Sequence, residues 1–175
     1  MGSARSVLEL LGEPRLLGTF GEELPLIDHL CQTAEVLWHD SDDSELAVAG
    51  LLHDLGWSSG STEAEHASDG LRLALALGFS ERVGQLIGLH VTAKRYLVRT
   101  DSRYWGRLSR ESRATLVEQG GELGVDEVGP FEASPYFDDA IRLRLADDMA
   151  KDPSRPRAQL ESFYPIIAEA LESAQ

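Results

Sequence analysis

Residues 51–57 read LLHDLGW, so His53 and Asp54 stand side by side at the end of an apolar helix. Adjacent side chains on a helix diverge by roughly 100°, so two neighbouring polar groups seldom serve one surface by accident. Three more histidines, His29, His66 and His90, fall on other apolar helical stretches, and Asp147 precedes Asp148 late in the chain. Any one of these histidines alone reads as a buried structural residue with a hydrogen-bond partner. Together they form a donor set, because consecutive packed helices can aim such groups at one point in a bundle core, as in di-metal carboxylate proteins. Imidazole with carboxylate suits iron, manganese or zinc, and the lack of thiolates argues against a structural zinc site. On this reading His53 is a ligand to one metal, and Asp54 bridges two with its two oxygens. The fifth histidine, His39, stands before DSDDSE at the polar end of its helix and is assigned to solvent.

Helices have to position these groups, and helical periodicity dominates nearly everywhere, so the expected class is all-α. One amphipathic helix covers 28–39, with Asp28 as its N-cap. A second runs from about Asp43 to Asp54 and stops at Gly56. After a loop at 57–62, Glu63 to Leu77 reads as a third helix ended by Gly78, and a fourth runs from Ser80 through Tyr96 or Leu97. Shorter helices are expected around 101–107, 110–118 and 125–133. Pro135 opens a longer one through about Lys151, which DPSRP breaks. A last helix is expected over about 157–173, with Pro165 as a kink. The metal-binding core would span about 19–152 of a single domain of 175 residues.

Composition narrows the partners. Lys and Arg total 16 against 30 Asp and Glu, a formal charge of −14, which repels nucleic acid and anionic lipid over most of the surface. A small anionic substrate fits only where a few cations converge. The sole cysteine, Cys31, cannot form an intramolecular disulfide. Nothing at the N-terminus resembles a secretory signal, so a cytoplasmic protein is expected. No stretch approaches the roughly 20 apolar residues of a membrane span.

The order His29, His53–Asp54, His66, His90, Asp147 resembles the HD-domain superfamily in its six-ligand, two-metal form. Within it, DHLCQTA, AGLLHDLG, LHVTAKRYL, VEQGGEL, FEASPYFDDAIRLRLADDMAK and the GE at 21–22 are similar to the PhnZ-type phosphonate oxygenases, relatives of myo-inositol oxygenase. The resemblance covers residues from about 19 to 152. It implies an HD-domain helical bundle holding two irons as a mixed-valence Fe(II)/Fe(III) pair. Such a pair uses O₂ to oxidise a 1-hydroxyalkylphosphonate, breaking its carbon–phosphorus bond and releasing phosphate. It further implies that His29, His53, Asp54 and Asp147 hold one iron, and that Asp54, His66 and His90 hold the other. A C–P bond lacks the ester oxygen that water would displace, so oxidation at the neighbouring carbon is the better route.

A phosphonate dianion needs cations and donors inside this acidic protein. Lys94 lies four residues after His90, and Arg144 three before Asp147, each on the shared helical face. The resemblance implies both as phosphonate contacts, with Lys94 also catalytic beside Asp54. It extends substrate contacts to Ser112 and Gln119, and to Glu22, on an N-terminal loop, for the substrate's amino end. Two positions depart from the family. Thr19 replaces a tyrosine three residues before Glu22, and Trp57 replaces a phosphonate-binding histidine in HDxGH. Trp57 either packs or lines the pocket, where an aromatic face would favour a quaternary-ammonium substituent. The alternative function is an HD-type metal-dependent phosphohydrolase acting on a nucleotide or other phosphate ester. A third reading is a binding or regulatory protein that kept the fold without its chemistry.

Overall fold

The computed structural model describes residues 2–19, 23–60, 62 and 64–174. Their regular structure is helical throughout, with no strand among the described residues. The helices are α1 (Ala4–Leu11), α2 (Leu26–Ser41), α3 (Ser44–Leu52), α4 (His66–Leu77), α5 (Glu81–Thr100), α6 (Tyr104–Arg107), α7 (Arg110–Glu118), α8 (Val125–Glu132), α9 (Phe137–Met149) and α10 (Tyr164–Ser173). The expected all-α class holds. Among the described residues, no helix is long and apolar enough to cross a membrane.

The hub is α3. Its sequence, SELAVAGLL, has no polar stripe, and every residue except Glu45 is buried. A helix that is apolar on all sides belongs inside the protein, and α3 packs against α2, α5, α9 and α10. Asp43 starts it as N-cap, its side chain accepting from the Leu46 N–H at 3.0 Å. Leu46, Leu51, Leu86 and Leu143 are at most 1% exposed in the surrounding core. Each such leucine contributes about 1.5–3 kcal/mol of burial.

The α4–α5 pair packs as a hairpin of long helices. Gly78 ends α4 in the left-handed region, at φ 94°, and Ser80 caps α5 with its hydroxyl on the Val83 N–H. This turn sets the relative register of His66 and His90.

Three expectations are corrected. Helix α2 begins at Leu26 after Pro25, so Asp28 lies within its first turn and is not its N-cap. The last helix starts at Tyr164, after irregular chain and a 3₁₀ turn over Leu160–Phe163, and not near 157. Pro165 therefore lies in its first turn, where a missing N–H has no intrahelical partner to lose, and produces no kink. Helix α1 lies ahead of the first helix read from sequence. It is capped by Ser3 and buries Val7, Leu8 and Leu11, with α10 as its main neighbour.

Candidate metal centre

Five elements deliver six donors to one place. His29 projects from the first turns of α2, His53 and Asp54 terminate α3, His66 opens α4, His90 lies midway along α5, and Asp147 lies in the last turn of α9. All four histidines and Asp147 are buried. A backbone contact places the α3 terminus against α4. A Cβ on Gly56 would lie 1.9 Å from the His66 carbonyl oxygen, so only glycine lets the chain after Asp54 pass this close to the start of α4.

The donor atoms form two groups. His29, His53 and Asp147 lie together, as do Asp54, His66 and His90. Asp54 joins them. Its Oδ2 stands 3.4 Å from His53 Nε2 and 3.8 Å from His29 Nε2, while its Oδ1 stands 3.6 Å from His66 Nε2 and 3.5 Å from His90 Nε2. Asp147 Oδ1 is 3.2 Å from His29 Nε2. Donors around a first-row metal at about 2.0–2.1 Å sit roughly 3.0–3.4 Å apart, so these spacings suit a coordination sphere.

Protonation gives a sharper test of fit. His29 Nδ1 lies 2.8 Å from the Ala150 carbonyl, His53 Nδ1 2.8 Å from that of Gly50, and His90 Nδ1 2.6 Å from that of Ile87. A carbonyl only accepts, so each Nδ1 carries the hydrogen and each neutral ring presents an Nε2 lone pair. His29 and His53 then bring two lone pairs within 3.3 Å of each other. That contact repels unless a cation or a proton lies between them, and buried polar groups are costly without such compensation. The residues present fit a metal.

The charges of the cluster set its protonation. Burial works against the charge on Asp54, but His53, His90 and His66 outweigh it and hold the carboxyl well below the usual range. Burial likewise opposes ionisation of Asp147, and is outweighed by the Arg144 charge and the contact with His29. Burial pushes His53 down to about 4, so its ring is neutral and ready to coordinate. For His29, burial is overcome by the bond and charge of Asp147 and the net shift is upward.

Beside the cluster lies a cavity of about 230 Å³, sized for a small ligand. Lys94, Arg144, Ser112, Gln119 and Trp57 all line it. Lys94 Nζ donates to the Ser112 carbonyl at 3.3 Å and to Thr115 Oγ1 at 3.1 Å. Burial, with Arg144 nearby, pushes this lysine down to about 8. Arg95 turns away to the Gly121 carbonyl and Glu127. Trp57 does both things considered for it: its indole lines the cavity and stacks on His66, centroids 4.6 Å apart and planes 16° apart. Glu22 lies outside the described residues. Exposed His39 takes no part.

Sequence reasoning missed Lys151 and Thr115, both in the cavity wall. Lys151 Nζ donates to Ser112 Oγ at 3.1 Å and reaches Ser109 Oγ at 3.4 Å. The signal was available, since Lys151 follows Asp147 by the same four residues that separate Lys94 from His90. It was obscured because Lys151 lies just past the end of α9.

No family model matches the chain. It is 30% identical over 163 residues to a hydroxymethylphosphonate dioxygenase of Gimesia maris, covering 87% of this chain and 81% of the relative. This chain belongs to the hydroxyphosphonate dioxygenase family. A second family member, the glycine-betaine-forming [1-hydroxy-2-(trimethylamino)ethyl]phosphonate dioxygenase of Leisingera caerulea, is 28% identical over 160 residues, 87% of this chain and 82% of its own. An uncharacterized protein of Acanthamoeba polyphaga mimivirus matches at 28% over 88% of this chain. The family makes this chain a dioxygenase, and its buried His and Asp cluster is a group of side chains that could hold a metal ion.

Proposed function

We propose that this chain is a di-iron oxygenase that cleaves the carbon–phosphorus bond of a small 1-hydroxyalkylphosphonate with O₂ and releases phosphate. One observation carries the reading: the two oxygens of Asp54 are divided between two histidine groups, and the cavity beside them is lined by Lys94, Arg144 and Lys151. In a protein of charge −14, Lys94, Arg144 and Lys151 meet in one small cavity and balance its carboxylates Asp54, Asp147 and Glu111, so with cations bound at the His and Asp cluster the cavity favours a compact anion.

In this reading His29, His53, Asp54 and Asp147 hold one iron, and Asp54, His66 and His90 hold the other, within an HD-type bundle. The iron pair, in its mixed-valence state, supplies O₂ activation and the redox capacity to oxidise the substrate's C1. The chain's other residues bind and orient. Lys94, Arg144 and Lys151 neutralise the phosphonate dianion, and the Ser112 and Thr115 hydroxyls offer further hydrogen bonds. Lys94 stays in place as the charge redistributes onto departing phosphate. The Trp57 indole, with Leu24, Leu26 and Val91, forms the apolar side of the cavity, meets the substituent on C1 and excludes water there.

The relatives are named for hydroxymethylphosphonate and for a trimethylamino-ethyl substrate, so both compounds are the first to assay. Iron-loaded enzyme should consume O₂ and release phosphate from at least one of them, with a coupled Fe(II)/Fe(III) signal in electron paramagnetic resonance. Anaerobic phosphate release from a nucleotide or another ester, supported equally by manganese, would favour the phosphohydrolase instead.

A further inference from the structure

Arg144 is 3% exposed, and a buried guanidinium needs acceptors placed around it. Its Nε donates to Tyr104 Oη at 3.0 Å, one terminal nitrogen lies 2.7 Å from Asp147 Oδ2, and the other contacts Asp148 Oδ1. Tyr104, 1% exposed, donates its own hydroxyl proton to Asp148 Oδ2 at 2.5 Å. The directions are forced. A guanidinium has no lone pair, so Tyr104 accepts from it, and the single phenolic proton goes to the carboxylate. The tyrosine ring lies under Arg107, 5.5 Å from its centroid, and Arg107 is paired with Asp101 at 2.6 Å. Helix α6, which carries Tyr104, supplies no residue to the cavity wall. Among the described residues, Tyr104 touches the cavity wall through Arg144.

We propose that Tyr104 and Asp148 are positioning residues for the anion site: they hold the Arg144 fork in one plane, leaving an N–H on each terminal nitrogen for two oxygens of a phosphonate. The proposal rests on the reading that this cavity takes a phosphonate. Two carboxylates, Asp147 and Asp148, compete for one arginine. By donating to Asp148, the phenol answers part of that charge, and by accepting from Nε it fixes the rotation of the guanidinium. Phenylalanine would leave the Nε of buried Arg144 and one oxygen of half-buried Asp148 without this partner, which is costly for charged groups.

The test is the affinity of methylphosphonate for the metal-loaded enzyme, measured calorimetrically beside metal content and thermal midpoint. Methylphosphonate has no hydroxyl at C1, so binding is read without turnover. Tyr104→Phe should weaken it about tenfold, the scale of one charge-assisted hydrogen bond. It should raise KM for a hydroxyphosphonate more than it lowers kcat, and leave metal content unchanged. Should that variant fold poorly, Asp148→Asn, which keeps the shape and one acceptor, carries the same expectation. Against an Arg144→Lys background, Tyr104→Phe should have no further effect on affinity. An unchanged affinity with a lowered thermal midpoint overturns the proposal, as do losses that simply add in the double variant. Wild type without measurable affinity for methylphosphonate overturns it too. Wild type that binds methylphosphonate yet oxidises no hydroxyphosphonate defeats the functional reading and leaves the clamp standing.

Discussion

The metal side of the cavity takes its donors from α2, the end of α3, α4, α5 and α9, and three of its histidines are locked by a hydrogen bond to a backbone carbonyl. The anion side is assembled differently. Lys94 comes from α5, but Ser112 and Thr115 come from the shorter α7, Lys151 from the chain beyond α9, and Tyr104, which holds Arg144, from the single turn of α6. Backbone regularity specifies one side, and a web of side chains specifies the other. The first should fail abruptly when a donor or a backbone contact is changed, and the second should respond by degrees.

The greatest loss is expected at the residue both metal groups share. Asp54→Ala should deplete metal from the two groups together and lower turnover by well over the roughly 100-fold that orienting residues around a metal typically control. Elemental analysis checks this directly, and a protein that keeps its full metal content would show that Asp54 is no bridge. Gly56→Ala comes next. A methyl group 1.9 Å from the His66 carbonyl has to push α4 away, so the Asp54, His66 and His90 group should lose metal preferentially. Stability should fall by about 2–3 kcal/mol, in the range of strained backbone and packing defects. Metal stoichiometry and a denaturant titration separate the two effects.

The anion side should give the mildest response. Lys94, pushed down to about 8 by burial, is charged below that pH and neutral above it. Attraction for a phosphonate is thus greatest where the substrate is doubly ionised and Lys94 still charged, and declines as pH rises through about 8. The kcat/KM profile should drop several-fold there, and Lys94→Arg should flatten the drop, because arginine keeps its charge. A wild-type profile level to pH 9 would remove Lys94 from the charge balance of the anion.

The same contrast explains what was legible in the sequence. His53 with Asp54, and the spacing of His29, His66, His90 and Asp147 on apolar helices, carry a periodic signal, and the structure brings those six groups together. Lys94 and Arg144 were found because they share a helical face with a donor. Lys151 and Thr115 were missed because irregular chain and a short helix set their direction, and spacing does not encode that. Tyr104 was invisible for a stronger reason: its place depends on contacts across 40 residues with Arg144 and 44 with Asp148. Trp57 showed as a departure from the expected histidine, but residue spacing carries no trace of its stack on His66.

One bond described earlier sets an order of events. The imidazole of His29, near the beginning of the chain, is oriented by the carbonyl of Ala150, 121 residues later. That later segment is itself spliced to α2 by Gln32, whose amide donates to the Asp152 carbonyl at 2.8 Å and accepts from its N–H at 3.1 Å. During synthesis, His29 is the first of the six donors to be made and among the last to be aimed, so a nascent chain still lacking α9 and its exit would have no finished place for an ion until residues 150–152 had been added.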